Sequence, residues 1–148
     1  MKIRMAEEND LEFVKGLYKQ LDILMSTYFG EIMGTGPMPE EPHTDEYWNN
    51  YIKGTDGFIL IAEYENMPAA MSLVIKQDSK AHLEDLFVLP EYRHKGIAEG
   101  LVKRCKEISK EKGYKEICLN VLANNEKAHN LYLKENFKEV VRTMVCKL

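Results

Sequence analysis

The stretch Leu86-Phe87-Val88-Leu89-Pro90-Glu91-Tyr92-Arg93-His94-Lys95-Gly96-Ile97-Ala98 constrains the fold more than any other part of the chain. An apolar run closed by proline reads as the end of a strand. Ile97, Leu101, Cys105 and Ile108, spaced four, four and three, read as one face of the helix that follows. So short a turn between strand and helix leaves the first N–H groups of the helix without intrahelical partners. Those donors and the positive end of the helix dipole converge on one spot, a natural seat for a phosphate or pyrophosphate. Gly96 permits close backbone approach, Ala98 keeps the helix start slim, and Arg93, His94 and Lys95 bring cationic or protonatable groups beside it. The motif therefore binds an anion that forms part of a cofactor.

A second motif runs from Asn125 to Phe137, after Ile117-Cys118-Leu119-Asn120-Val121-Leu122, which reads as a strand. Asn124 or Asn125 can cap a helix through its side-chain oxygen. Ala128, Leu131, Tyr132 and Glu135 then recur at helical spacing, and Asn136 stands where the chain leaves the helix, a place that suits a left-handed residue. By itself Tyr132 reads as a half-buried packing tyrosine.

Together the two motifs resemble the GCN5-related N-acetyltransferase (GNAT) superfamily. Its acyl-CoA motif, Gln/Arg-x-x-Gly-x-Gly/Ala, is matched by Arg93, Gly96 and Ala98, and its Asn-x-x-Ala-x-x-x-Tyr motif by Asn125, Ala128 and Tyr132. The Gly-Phe pair that follows in the family is Asn136-Phe137 here. The resemblance is strong over residues 57–148, weaker over 1–29, and finds no motif in 30–56. It implies a mixed α/β (α+β) GNAT-like fold: a mostly antiparallel sheet of six to seven strands, about four helices, and a splayed V between the strands flanking the cofactor helix. It also implies a β-bulge near Leu86 to Leu89, where the backbone of Leu86, Phe87 and Val88 would pair with pantetheine amides. The pyrophosphate of acetyl-CoA would sit on the amides of Arg93, His94, Lys95, Gly96, Ile97 and Ala98, with Asn125 and Ala128 also on the cofactor side.

Length and composition set outer bounds. A chain of 148 residues fits one domain, 1–148, with room for a proper core. Its 45% hydrophobic and 30% charged residues are ordinary for a globular protein, and 20 basic against 24 acidic side chains give −4. That balance argues against nucleic acid as a main partner and suits a cationic substrate. The chain lacks the ~20 consecutive apolar residues that span a bilayer and any signal-peptide pattern, so no membrane partner and a cytoplasmic location are expected. Cys105, Cys118 and Cys146 show no metal spacing and read as reduced thiols.

Along the chain, Lys2 to Met5 reads as a strand, and Leu11, Val14, Leu17, Tyr18, Leu21, Met25 and Tyr28 as one face of a helix. Gly30 to Pro42 is dense in Gly and Pro and reads as loop. Thr44 can cap a short helix through about Lys53. Phe58–Tyr64, Ala70–Lys76 and Ala81–Leu89 read as an antiparallel meander, Lys95–Lys112 as a helix ended by Gly113, and Lys115–Leu122 as a parallel strand completing a βαβ unit. Residues 125–135 read as a helix and Phe137 to Cys146 as a strand or hairpin pair.

Acetyl transfer to an amine needs a neutral nucleophile, yet an alkyl ammonium with a pKa of about 10.4 is deprotonated in fewer than ~1 in 1000 molecules at neutral pH. A carboxylate on the strand entering the cofactor turn can remove that proton. Glu84 and Asp85 qualify, and as strand neighbours they face opposite sides unless a bulge intervenes. Glu84 is the favoured base, with Asp85 as substrate anchor or second candidate. Tyr132 is the candidate acid, which hydrogen-bonds the departing sulfur. His82, His94 and His129 are nominal alternatives.

The resulting expectation is an acetyl-CoA-dependent N-acetyltransferase acting by direct attack in a ternary complex. A small polyamine-like or aralkylamine substrate is preferred, and a homodimer is allowed. Protein or peptide amines, or a non-catalytic acetyl-CoA-binding module, are the alternatives. Residues 30–46, with Glu40, Glu41, Asp45 and Glu46, are expected to select the amine.

Overall fold

The sheet is built outward from a strand that is apolar on both faces. In the computed structural model, which describes residues 1–38 and 41–148, that strand is β2 (Gly57–Tyr64). Phe58, Leu60 and Ala62 point to one side, Ile59 and Ile61 to the other, and all five are buried. An unbroken apolar run of this kind belongs inside a sheet covered on both faces. β1 (Lys2–Met5) pairs with one edge of β2 and β3 (Met67–Gln77) with the other. β4 (Lys80–Val88) follows β3, and all these pairings are antiparallel. β5 (Ile117–Cys118) adds in parallel beyond β4, giving the order β1-β2-β3-β4-β5.

Each face carries its own core. On one side α1 (Leu11–Met33) buries Val14, Leu17 and Leu21 against Ile59, Ile61, Met71, Leu73 and Phe87. Their spacing of three and four makes one helix stripe, and each such side chain stabilises by about 1.5–3 kcal/mol when fully buried. α2 (Asp45–Ile52) adds Trp48 to this core, and the Thr44 hydroxyl caps it by accepting from the Tyr47 N–H at 3.2 Å. On the other side α3 (Ile97–Glu111) buries Ile97, Leu101, Val102, Cys105 and Ile108 against Phe58, Leu60, Ala70, Val74 and Leu83. α4 (Glu126–Lys134) lies at the edge of that core through Leu131 and Tyr132.

The mixed fold, the four helices and the βαβ unit match the sequence expectation, and four details correct it. The sheet has five strands rather than six or seven, because residues 137–148 pair with no strand among the described residues. β5 is two residues long rather than eight. The first helix continues past Gly30 to Met33 and ends at Gly34, whose φ is 69°. Gly30 lies inside it because the returning chain presses on that spot: a Cβ there would sit 2.1 Å from the Gly36 carbonyl oxygen. The bulge lies opposite Leu73/Val74, between Leu83 and Asp85, while Leu86, Phe87 and Val88 keep regular register with Ser72, Met71 and Ala70.

Candidate active site

Displacement of the bulge to Glu84 sets the faces of β4. Ala81 and Leu83 pack toward α3, and without the extra residue Asp85 and Phe87 would do so too. Instead Phe87 joins the α1 core, Asp85 pairs across from Leu73 of that same core, and Leu86 packs toward α3. Asp85 is thereby carried to the α1/α2 side, and Glu84, which has no partner in the β3 register, is exposed.

β4 and β5 touch only at Ala81↔Ile117 and His82↔Cys118. Beyond these pairs the edge of β4 from Leu83 to Val88 is left by β5, which is the splayed V that the family resemblance implied. Chemistry is concentrated at both ends of that free edge.

At one end the chain turns through a short 3-10 helix (Pro90–Tyr92) into α3. His94 and Gly96 both adopt left-handed backbone, with φ of 62° and 76°. Gly96 is the N-cap residue and supplies no side chain, so the first-turn N–H groups of Ile97, Ala98 and Glu99 lack intrahelical acceptors. A Cβ on Gly96 would meet no protein atom within 4 Å, so the space above the helix start is open. A cavity of about 230 Å³ lies there, lined by Val88, Tyr92, Arg93, Gly96, Ala98 and Leu131 among others. Open donors around a cavity are what an anionic ligand group requires.

The three basic residues of the turn do different things. Arg93 folds back, its Nε donating to the Val88 carbonyl at 3.0 Å and its guanidinium lying 5.3 Å from the Phe87 ring centroid. It braces the turn. Lys95 Nζ rests 5.2 Å from the Tyr64 ring centroid, and His94 is exposed. Glu99 would repel an anion, but Lys103 at 2.7 Å and Lys134 at 2.8 Å neutralise it and hold its carboxyl down to about 2. The Lys134 contact also ties α4 to the first turn of α3.

α4 begins where Asn125 Oδ1 accepts from the Ala128 N–H at 3.4 Å, so of the two candidates Asn125 is the cap, and Ala128 is engaged with it. Asn124 instead donates to the Tyr28 carbonyl of α1 at 2.9 Å. Asn136 is left-handed as expected, with φ of 68°. Tyr132 packs edge-on against Phe137, 5.7 Å between ring centroids, and burial pushes its hydroxyl up to about 12, with a further contribution from Cys105. That hydroxyl keeps its proton at any physiological pH.

At the other end of the free edge lie the carboxylates. Asp85 Oδ2 is sealed from solvent without a hydrogen-bond partner. Burial, then the charges of Glu84 and Asp22, raise its carboxyl to about 7. Glu84 takes a contact of 3.1 Å from His82 Nε2, and His82 Nδ1 lies 3.3 Å from Cys118 Sγ. His82 is thus a buried link from β5 to Glu84 rather than a solvent-facing group.

Sequence reasoning missed the wall facing these acids. Tyr18 from α1 and Tyr47 and Tyr51 from α2 lie close enough for the charges of Glu84 and Asp85 to act on their hydroxyls. Burial first, then Asp22, Asp85, Glu41 and Glu84, push Tyr18 up to about 12, and burial with Tyr51, Asp85 and Glu84 raises Tyr47 further. His43 stacks on Tyr47 at 3.8 Å and sits 4.9 Å from Tyr18. The signal was Tyr18/Asp22 and Tyr47/Tyr51, two i,i+4 pairs that place polar tips on a core-facing helix stripe. Glu41 joins this wall by accepting from Tyr18 at 3.5 Å through its carbonyl, whereas Glu40 lies outside the described residues.

The model of the acetyltransferase (GNAT) family matches residues 18–137. The chain belongs to the GNAT family. A curated relative is the thialysine N-epsilon-acetyltransferase of Mus musculus, 43% identical over 51 residues, which are 34% of this chain and 30% of that enzyme. The chain therefore matches less than a third of the length of that relative. Among solved structures, a tetramutant of a Bacillus halodurans protein superposes with a TM-score of 0.85 at 22% identity, covering all of both chains. An aminoglycoside N-acetyltransferase in complex with CoA superposes with a TM-score of 0.74 at 18% identity, over 99% of this GNAT chain and 98% of the other. These structures establish the shared fold. Among the described residues of this GNAT domain, no group of three His, Cys, Asp or Glu is placed to hold a metal ion, and no helix is long and apolar enough to cross a membrane.

Proposed function

We propose that this chain transfers an acetyl group from acetyl-CoA to the primary amine of a small cationic acceptor, by direct attack in a ternary complex. One observation carries the reading: a single free strand edge has an open anion seat at one end and, at the other, a carboxylate whose Oδ2 is sealed from solvent without a partner. The seat fits the donor, since uncapped N–H groups and the open space over Gly96 admit a pyrophosphate. The amides from Arg93 to Ala98 would hold that group, and the backbone of Leu86, Phe87 and Val88 would run beside the pantetheine arm. Acetyl-CoA supplies the activated acyl thioester.

The remaining chemistry belongs to the protein. Asp85 is the base, in preference to Glu84. A carboxylate with a pKa near 4 is a poor acceptor for an ammonium proton, and raising it to about 7 narrows the mismatch by about three units, or ~4 kcal/mol. Glu84, exposed and tied to His82, supplies negative potential that draws the cation in and keeps Asp85 raised. Tyr18, Tyr47 and Tyr51 offer ring faces and hydroxyls to the same cation, each contact being worth about 0.5–2 kcal/mol. Tyr132 retains its proton and so can donate a hydrogen bond to sulfur as the thiolate leaves. Thialysine and aminoglycosides, named for the relatives above, are both amine-bearing compounds, consistent with a small amine acceptor.

The test is release of free thiol from acetyl-CoA with a panel of diamines, aralkylamines and amino acids. Turnover that depends on the amine is expected. Binding of acetyl-CoA without thiol release across the panel would reduce the chain to a binding module.

A further inference from the structure

Three free cysteines are spread over the chain, and their surroundings differ. Cys105 is fully buried in the α3 core beside the Ser72 hydroxyl at 3.2 Å, and burial pushes its thiol up to about 12. Cys146 is exposed near the end of the chain, its sulfur donating to the Lys147 carbonyl at 3.6 Å. Cys118 is half-buried on β5, and of the three it alone stands beside an imidazole.

That contact follows from the sheet. Cys118 is in register with His82 at the last parallel pair before β5 leaves β4. Their neighbours Ile117 and Ala81 pack toward α3, so strand alternation turns both side chains to the opposite face. There His82 Nδ1 lies 3.3 Å from Cys118 Sγ, and His82 Nε2 lies 3.1 Å from Glu84 Oε2. His82 is only 7% exposed, so packing holds its ring between the two partners. A carboxylate only accepts, so Glu84 assigns the ring proton to Nε2 and leaves the Nδ1 lone pair facing the thiol. The Ala81 carbonyl, 3.5 Å from the same sulfur, can share the thiol hydrogen but not take it away. A nucleophile, a base within reach of it and a third group that orients the base form the arrangement that activates side chains for attack.

We propose that Cys118 is a nucleophilic thiol, with His82 as its base and Glu84 orienting that base, and that small disulfides modify it. His82 Nδ1 takes the Cys118 proton as Sγ attacks one sulfur of the disulfide. The S–S bond of the reagent breaks, a new bond joins Sγ to the attacked sulfur, and the departing thiolate takes the proton back from Nδ1. Cys118 is thereby oxidised to a mixed disulfide, and half of the reagent is reduced to a free thiol. A disulfide is favoured over a carbonyl electrophile because attack on a carbonyl builds an oxyanion that needs its own donors. Both ring nitrogens of His82 are already engaged, whereas thiol–disulfide exchange needs only the thiolate and a path to it. The adduct stands at the closed end of the V, where β5 parts from β4. No acetyl donor enters this chemistry, so it stands apart from the acetyl-transfer reading.

The probe is hydroxyethyl disulfide, which is uncharged, so Glu84 and Asp85 neither attract nor repel it. The folded full chain is treated near neutral pH, remaining thiols are trapped with iodoacetamide at intervals, and peptide mass mapping gives the rate at each cysteine. Cys118 should react at least about tenfold faster than the more exposed Cys146, while Cys105 stays unmodified. His82→Asn should slow Cys118 at least about tenfold and leave Cys146 unchanged. Glu84→Gln still accepts from Nε2 but lacks the charge that steadies the imidazolium, and should slow Cys118 at least about threefold. Reaction at Cys105 reports unfolding, and if His82→Asn unfolds the chain, Glu84→Gln decides. Cys118 reacting no faster than Cys146 overturns the proposal. So does an unchanged rate at Cys118 in a folded variant.

Discussion

Replacing Asp85 with asparagine removes a charge and keeps a shape, and its effect should depend on pH in a way no packing change can imitate. In the folded chain the carboxyl holds its proton up to about 7, through burial first and the charges of Glu84 and Asp22 after it. In the unfolded chain an aspartate ionises near ~3.9. Between those values the unfolded state releases a proton that the folded state keeps, so this group costs stability as pH rises, and the loss is complete above about 7. About three units at 1.36 kcal/mol each set an upper bound of ~4 kcal/mol. Entry of water on local opening lowers it, and roughly half is the expected size. At ~2–4 °C per kcal/mol for a chain of this length, Asp85→Asn should melt ~4–8 °C above the unsubstituted protein at about pH 8. Near pH ~4, where both carboxyl and amide are neutral, the two should coincide. Thermal melts across that range measure it, and a difference that does not change with pH refutes the burial argument. Activity should move in the opposite sense. Turnover of the unsubstituted enzyme should rise through about pH 7, and Asp85→Asn should lose about 10²-fold or more. If Glu84→Gln loses more than Asp85→Asn, the base is Glu84.

Tyr132→Phe keeps the ring on Phe137 and deletes the hydroxyl, so kcat should fall by ~10²-fold with KM for acetyl-CoA nearly unchanged, as steady-state kinetics will show. Gly96→Val places a branched side chain where no protein atom lies within 4 Å and where φ is 76°, so calorimetry should find acetyl-CoA binding weakened at least ~10-fold. Arg93→Ala should weaken it less, because the guanidinium braces Val88 and leaves the amides in place. Arg4→Met strands Asp10 and Glu63, which Arg4 holds at 2.7 and 2.8 Å, and should cost about 1.5–3 kcal/mol in urea unfolding. Because Arg4 lowers the Asp10 pKa, that contribution is present above pH ~4 and is lost as pH falls through the folded value.

The turn into α3 and the caps of α4 were legible because their signals are local. A proline-closed strand, a glycine at the helix start and an asparagine at the next helix start each act on backbone within a few residues, and Gly96, Asn125 and Asn136 stand in the conformations their types favour. The surroundings of Asp85 were not, because they are made by distant pieces meeting. Whether Glu84 or Asp85 turns inward depends on where one extra residue enters β4, and that is decided by register against β3 rather than by the sequence of β4 itself. The tyrosines whose hydroxyls feel the charge of Asp85 come from two helices packed on one core. Strand propensity also misled at 137–146, since propensity describes what a segment suits and not whether its own chain supplies a neighbour.

One amide has a reach out of proportion to its size. Asn124, at the start of the helix that carries Tyr132, holds the carbonyl of Tyr28 near the far end of the helix that carries Tyr18 and Asp22. The two banks of the cleft are thus lashed together at a point outside it. The Asn124 side chain joins the start of α4 to the last turns of α1, across 96 positions of sequence.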